Sequence, residues 1–284
     1  MTDLIDDTAD QRDAEATPYK GLMAGKRGLI MGVANDRSIA WGIAAAAASQ
    51  GAQLAFTYQN ESLKKRVHPL AESVGSPLAV MCDVSDDDAL DRAFDEIGTA
   101  WGGLDFVLHA IAYSDKGELK GRYADTSRDN FLNTLDISCF SFTNIARRAW
   151  PLMKDGGGSM LTLSYLGANR TTPNYNVMGV AKAALEASVR YLAADLGEDG
   201  IRVNAISAGP MKTLAGSAIA DARHTFRFAE TNAPLKRNAS LTEVGQAGLY
   251  LLSDLSAGVT GEIHYVDGGF HTVAIPKPER TAED

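Results

Sequence analysis

The sequence predicts an α/β fold, a doubly wound parallel sheet in a single domain, and three observations carry that prediction. Short β-branched or apolar runs alternate with helical patterns along most of the chain. The runs are apolar almost throughout, as expected of strands covered on both faces. At 284 residues, with 45% hydrophobic and 22% charged residues, the chain is long enough to bury one large core.

Seven strands are expected, at Arg27 to Val33, Gln53 to Thr57, Leu78 to Cys82, Phe106 to Ala110, Ser159 to Ser164, Arg202 to Ser207 and Glu262 to Val266. Helices fill the gaps, and ligands of such sheets bind beyond the carboxyl ends of the strands. The uncharged stretch from Ser38 to Asn60 is mostly Ala and is interrupted at Ser49, Gln50 and Gly51. It reads as a buried helix, a turn and a strand, so no membrane span is expected. Residues 1–20 form an acidic arm with six acids in the first 18 positions, expected to be disordered, as is the tail 276–284. The folded unit is expected over 21–275.

A net charge of -9 argues against nucleic acid or an anionic membrane as the main partner. Cys82 and Cys139 are the only cysteines, so neither a disulfide framework nor a metal site is implied, and a reducing cytoplasm fits.

The strand ends hold the chemistry. In "RGLIMGVANDRSIAWGIA", Gly32 and Ala34 are small where backbone must approach something closely, and Ser38 can cap a helix whose free N–H groups attract phosphate. The full G-x-G-x-x-G is absent, and an ordinary turn before an Ala-rich helix reads equally well. Gln59 closes the second strand where NAD-binding units place an acid, and its amide can bond ribose hydroxyls without repelling a 2′-phosphate. NADH is thereby weakly favoured over NADPH. Lys64, Lys65 and Arg66 read as a solvated helix face, with a 2′-phosphate contact as the alternative. Asp83 can accept from an adenine amino group with Val84 beside the ring; alternatively Ser85 caps the next helix with Asp88 three residues on. Ile111, after the fourth strand, can cover a flat ring or simply fill the core.

The most specific stretch is "SYLGANRTTPNYNVMGVAK", Ser164 to Lys182. A helix from about Asn174 puts Tyr175 and Lys182 nearly two turns apart on one face, about 10.5 Å between α-carbons. The surrounding residues are apolar almost all round, which predicts burial. A buried ammonium beside a phenol would lower the pKa of Tyr175 and make it a proton donor or oxyanion stabiliser. The alternative is a lysine whose stem crosses apolar surface to reach water. Tyr165 closes the fifth strand as a ligand contact or as packing.

These residues resemble the short-chain dehydrogenase/reductase superfamily, but with Tyr-x6-Lys instead of Tyr-x3-Lys. The two tyrosines and the lysine at these spacings are similar to those of bacterial NADH-dependent enoyl-acyl-carrier-protein reductases, and the likeness extends over "CDVSDD", "IRVNAISAGPMKTLA" and "LLSDLSAGVTGEIHYVDGGF". The resemblance implies a Rossmann-like, seven-stranded homotetramer with a mobile lid at about 211–232, reducing enoyl thioesters with NADH. It implies Tyr175 on the thioester carbonyl, Lys182 on the cofactor ribose, and Tyr165 and Ser114 at the substrate. It further implies NADH contacts from Gly32, Ser38, Ile39, Gln59, Asp83, Val84, Ile111 and the run Met211, Lys212, Thr213, Leu214 and Ala215. Ala112 and Met211 depart from the commonest pattern of that family, where glycine and isoleucine are usual, which bears on inhibitor fit. Arg223, His224 and Arg227 are expected either to meet acyl carrier protein or to form a solvated helix face. Rival readings are a short-chain dehydrogenase for ketones or alcohols and a non-catalytic NAD(H)-binding protein.

Overall fold

The computed structural model describes residues 21–217 and 221–275. The acidic arm, the tail and residues 218–220 of the expected lid lie outside the described residues. In chain order the elements are β1 (Arg27–Met31), α1 (Ile39–Ser49), β2 (Gln53–Tyr58), α2 (Glu61–Ser73), β3 (Leu78–Met81), α3 (Asp87–Trp101) and β4 (Phe106–His109). There follow α4 (Arg128–Leu135), a π-helical turn (Asp136–Phe140), α5 (Ser141–Met153), β5 (Gly158–Ser164), α6 (Asn176–Leu196) and β6 (Ile201–Ala208). The chain continues through α7 (Leu214–Ser217), α8 (Ala222–Asn232), α9 (Leu241–Leu252) and β7 (Ile263–Val266).

All seven expected strands are present, displaced by at most two residues at an end. They form one parallel sheet in the order β3-β2-β1-β4-β5-β6-β7. The order reverses between β1 and β4, so the crevice of a doubly wound sheet opens at their carboxyl ends. One face of the sheet packs on α3, α5 and α6 through residues such as Leu90, Phe94, Phe142, Ile145, Leu185 and Val189. The other packs on α1, α2 and α9 through Ile43, Ala47, Val67, Val244 and Leu251. No described helix is long and apolar enough to cross a membrane.

Two local expectations are corrected. The start of α3 is capped by Asp86, whose carboxylate accepts from the Ala89 N–H at 3.1 Å, and not by Ser85. Ser85 instead donates its N–H and hydroxyl to Asp83 at 3.0 and 2.7 Å. The apolar character of α6 does not mean burial all round. Val177, Ala181, Leu185 and Val189 are covered, whereas Val180 is 37% and Tyr191 81% exposed.

Candidate active site

Across the crevice, the carboxyl ends of β1, β2 and β3 come first. Gly32 has φ +98, and a β-carbon there would collide with the Ala110 carbonyl oxygen. The close approach expected at Gly32 is therefore to the neighbouring strand end, with a backbone conformation that favours glycine. Ser38 stands at the N-cap of α1, but its hydroxyl turns back to accept from Ala34 and Asn35 N–H at 3.0 and 3.1 Å. It braces the loop instead of capping the helix. The Trp41 and Gly42 N–H groups bond the Ser38 carbonyl, and the Ile39 and Ala40 N–H groups have no partner among the described residues. That helix end is chemically suited to a phosphate oxygen.

Gln59 and Asp83, at the ends of β2 and β3, bond each other through Gln59 Nε2 and Asp83 Oδ2 at 2.9 Å. Burial alone would raise the Asp83 pKa, but hydrogen bonds from the Ser85 backbone, Gln59 and the Ser85 hydroxyl hold it below its ordinary value. Asp83 is thus an ionised acceptor beside the buried Val84. Lys64 pairs with Glu61 at 3.5 Å, and Lys65 and Arg66 are exposed, as a solvated helix face requires. Ile111 is partly buried and packs against the core.

The densest chemistry lies at the end of β5. Tyr165 follows its last residue, and its ring meets that of Tyr175 edge-on, with centroids 5.0 Å apart and planes at 66°. Gly167 lies between them in sequence, and a β-carbon there would collide with the Tyr175 ring. Tyr175 is the residue immediately before α6, which begins two residues later than expected, and it is 7% exposed. Its neighbours Asn174 and Asn176 have φ values of 57 and 33, in the left-handed region that asparagine tolerates better than most residues.

Lys182 is 6% exposed, which settles the alternative of a snorkelling side chain in favour of burial. Its Nζ donates to the Leu163 carbonyl oxygen at 2.7 Å. An ammonium has three donors, and the other two have no partner among the described residues. Burial lowers the Lys182 pKa to about 8, against the opposing influence of Cys139 and Glu186. The expectation for Tyr175 is overturned: burial first, then Tyr165 and Glu186, raise its pKa, and the Lys182 hydrogen bond goes to a backbone carbonyl and not to the phenol. Burial likewise pushes Tyr165 up to about 12. Both phenols are protonated at neutral pH, and Tyr175 is a hydrogen-bond donor in a desolvated setting.

Ser114 is buried in a polar cluster, with its hydroxyl 2.9 Å from Thr134 Oγ1 and 3.3 Å from Asn130. Ala112 is exposed beside it. Beyond β6, Met211 packs against the core, Lys212 Nζ sits 4.7 Å from the centre of the Phe226 ring, and Thr213 Oγ1 accepts from the Gly216 N–H at 2.9 Å. Leu214 is exposed, and Ala215 lies within α7. Arg223, His224 and Arg227 are exposed together on α8.

Residues that sequence reading passed over include Gly167 and Glu186. Glu186 is 5% exposed and accepts from Ser164 and Asn169. A signal for it existed: an acid four residues after the lysine on an otherwise apolar helix.

An open parallel sheet with an anion-ready helix start, an ionised acceptor at β3, two protonated phenols in edge-on contact and a buried lysine on the following helix defines a dinucleotide-dependent reductase. A family profile described as enoyl-(acyl carrier protein) reductase matches residues 32–271, and the chain belongs to that family. It is 64% identical over 259 residues to an enoyl-[acyl-carrier-protein] reductase [NADH] of Rhizobium meliloti, covering 91% of this chain and 96% of that protein. Among solved structures, the reductase of Anaplasma phagocytophilum in complex with NAD is 59% identical, with a TM-score of 0.87, covering 90% of this chain and 98% of that one. The Bacillus cereus reductase with NADP+ and an indole naphthyridinone is 49% identical, with a TM-score of 0.87, covering 89% and 99%.

Proposed function

We propose that this protein reduces the trans-2 double bond of enoyl-acyl-carrier-protein thioesters with NADH, the last step of the fatty-acid elongation cycle. The observation that carries the reading is the edge-on pair of Tyr165 and Tyr175, with a buried Lys182 on the helix that follows, in a chain of this family.

NADH, when bound, supplies the hydride. Gly32, Ser38 and Ile39 would hold its pyrophosphate, Gln59, Asp83 and Val84 its adenosine, and Ile111 and residues 211–215 its nicotinamide end. The two unspent donors of Lys182 would take ribose hydroxyls. Tyr175, protonated and desolvated, donates to the thioester oxygen as negative charge gathers there. A donor placed where charge develops is worth more in a dry site than in water. Tyr165 closes the other side of the acyl group, with Ser114 lining the approach. Ala112 and Met211 border the same space, so each narrows what an aromatic inhibitor can fill.

Residues 21–275 are proposed as one catalytic unit, with α7 and α8 as the lid over the acyl chain. Arg223, His224 and Arg227 on α8 give acidic carrier protein a basic face within a chain of negative net charge. A homotetramer is proposed because α4, the π turn and α6 leave Leu132, Phe140, Val180 and Tyr191 exposed in the single chain. Location in the cytoplasm completes the reading.

The test is NADH absorbance with a crotonyl thioester, beside the matching keto thioester. Oxidation with the enoyl substrate alone is expected. Turnover of the keto thioester or an alcohol instead would point to another short-chain dehydrogenase, and NADH binding without turnover would point to a non-catalytic protein.

A further inference from the structure

Three consecutive residues at the end of β5 each meet a different group at the start of α6. The Leu163 carbonyl accepts from Lys182 at 2.7 Å, the Ser164 hydroxyl donates to Glu186 Oε1 at 2.6 Å, and the Tyr165 ring lies against Tyr175. The segment then returns: Asn169 Nδ2 donates to Glu186 Oε2 at 3.1 Å and to the Tyr265 hydroxyl at 2.9 Å. Glu186 therefore holds both ends of the stretch 164–169, which carries Tyr165 and packs Gly167 on the Tyr175 ring.

We propose that Glu186 is a positioning residue of the active site, one that staples the Tyr165 segment to α6 and sets a carboxylate one helical turn from Lys182. The part of this that concerns Lys182 and NADH rests on the function proposed above.

The two duties make different demands. A glutamine could reproduce both hydrogen bonds, accepting from Asn169 and donating to Ser164. Only a carboxylate also supplies charge. Glu186 is 5% exposed, and no cation lies within ion-pair distance of it among the described residues. Lys182 stands four residues before it on the same face of α6 and is buried as well. The other titratable groups that bear on Lys182 are Cys139 on the π turn, which also favours the ammonium, and His109 on β4, whose full burial keeps it neutral. Burial first, and then Glu186 among the nearby charges, raises Tyr175 and, from β7, Tyr265.

The test compares Glu186→Gln and Ser164→Ala with the wild-type chain. Lys182 is titrated by NMR of 13Cε-labelled lysine, its resonance assigned by loss in Lys182→Met, and NADH affinity and crotonyl-thioester turnover are followed over the same pH range. In Glu186→Gln the Lys182 midpoint is expected to fall by ~1 unit, the scale of one nearby charge. NADH affinity at pH 8 then drops about fivefold, following the lost charged fraction, and is unchanged at pH 6. Ser164→Ala, which keeps the carboxylate, should leave the lysine midpoint in place and lower kcat without raising KM for NADH. A midpoint unmoved in Glu186→Gln, or wild-type turnover in Ser164→Ala, overturns the inference. A shifted midpoint with unchanged NADH affinity upholds the action of Glu186 on Lys182 and counts against Lys182 as the ribose ligand, so the two readings fail separately.

Discussion

The end of β5 and the lid region carry their chemistry in opposite ways. At β5, Tyr165, Tyr175, Lys182 and Glu186 are largely covered and are held by hydrogen bonds or ring contacts to the sheet or to α6. On α7 and α8, Leu214, Arg223, His224, Arg227 and Phe228 are exposed. Groups that meet developing charge gain from fixed geometry and exclusion of water, whereas groups that cover a chain or greet a partner must stay accessible. Mutations in the first region should therefore change turnover or cofactor binding in separable ways, and mutations in the second should change carrier-protein recognition and its salt dependence.

The largest effect is expected for Tyr175→Phe, which removes the donor and leaves the packing. Steady-state kinetics with a crotonyl thioester should show kcat lowered by ~10²-fold or more. Next is Lys182→Met, judged by denaturant unfolding without cofactor. The ordinary lysine pKa of 10.5 falls to about 8 in the fold. Between these values the unfolded chain binds more protons than the native one, so this group makes wild-type stability rise with pH across that window. The variant is expected to be more stable than wild type by ~3 kcal/mol at neutral pH, and its advantage should shrink as pH rises from 8 to 10.5. An advantage that does not change with pH would place Lys182 in water.

Gly167→Ala should cost ~1–3 kcal/mol and lower kcat, because the added carbon meets the Tyr175 ring. The smallest effect belongs to the lid. Arg223→Ala with Arg227→Ala should raise KM for the carrier-protein substrate a few fold at low salt and leave a short thioester unaffected. Equal effects on both substrates would erase the contrast between the regions.

The strands were legible because covered positions of a parallel strand are mostly apolar, although β7 is only half-buried along its length. Lys182 stood out because a lysine is rare in so apolar a helix, and Tyr165 and Tyr175 stood out through their spacing before it. What escaped reading was the partner each group chooses. Nothing along the chain says that Lys182 Nζ meets the Leu163 carbonyl, 19 residues earlier, so the direction of the Tyr175 shift was misjudged. Ser38 and Asp86 show the same limit at short range, since several nearby oxygens compete for each free N–H. The outer face of α6 misled for another reason: an apolar pattern reports covering but not by what, and within one chain Val180 and Tyr191 are uncovered.

The central claim is that Tyr175 serves the reacting oxygen while Lys182 serves the cofactor. The most direct measurement is NADH binding by fluorescence for Tyr175→Phe and Lys182→Ala, in parallel with wild type. The account predicts near wild-type affinity in the tyrosine variant and a loss of ~10-fold or more in the lysine variant, the worth of charge-assisted hydrogen bonds. Equal affinity in the lysine variant, or a matching loss in both, would contradict it.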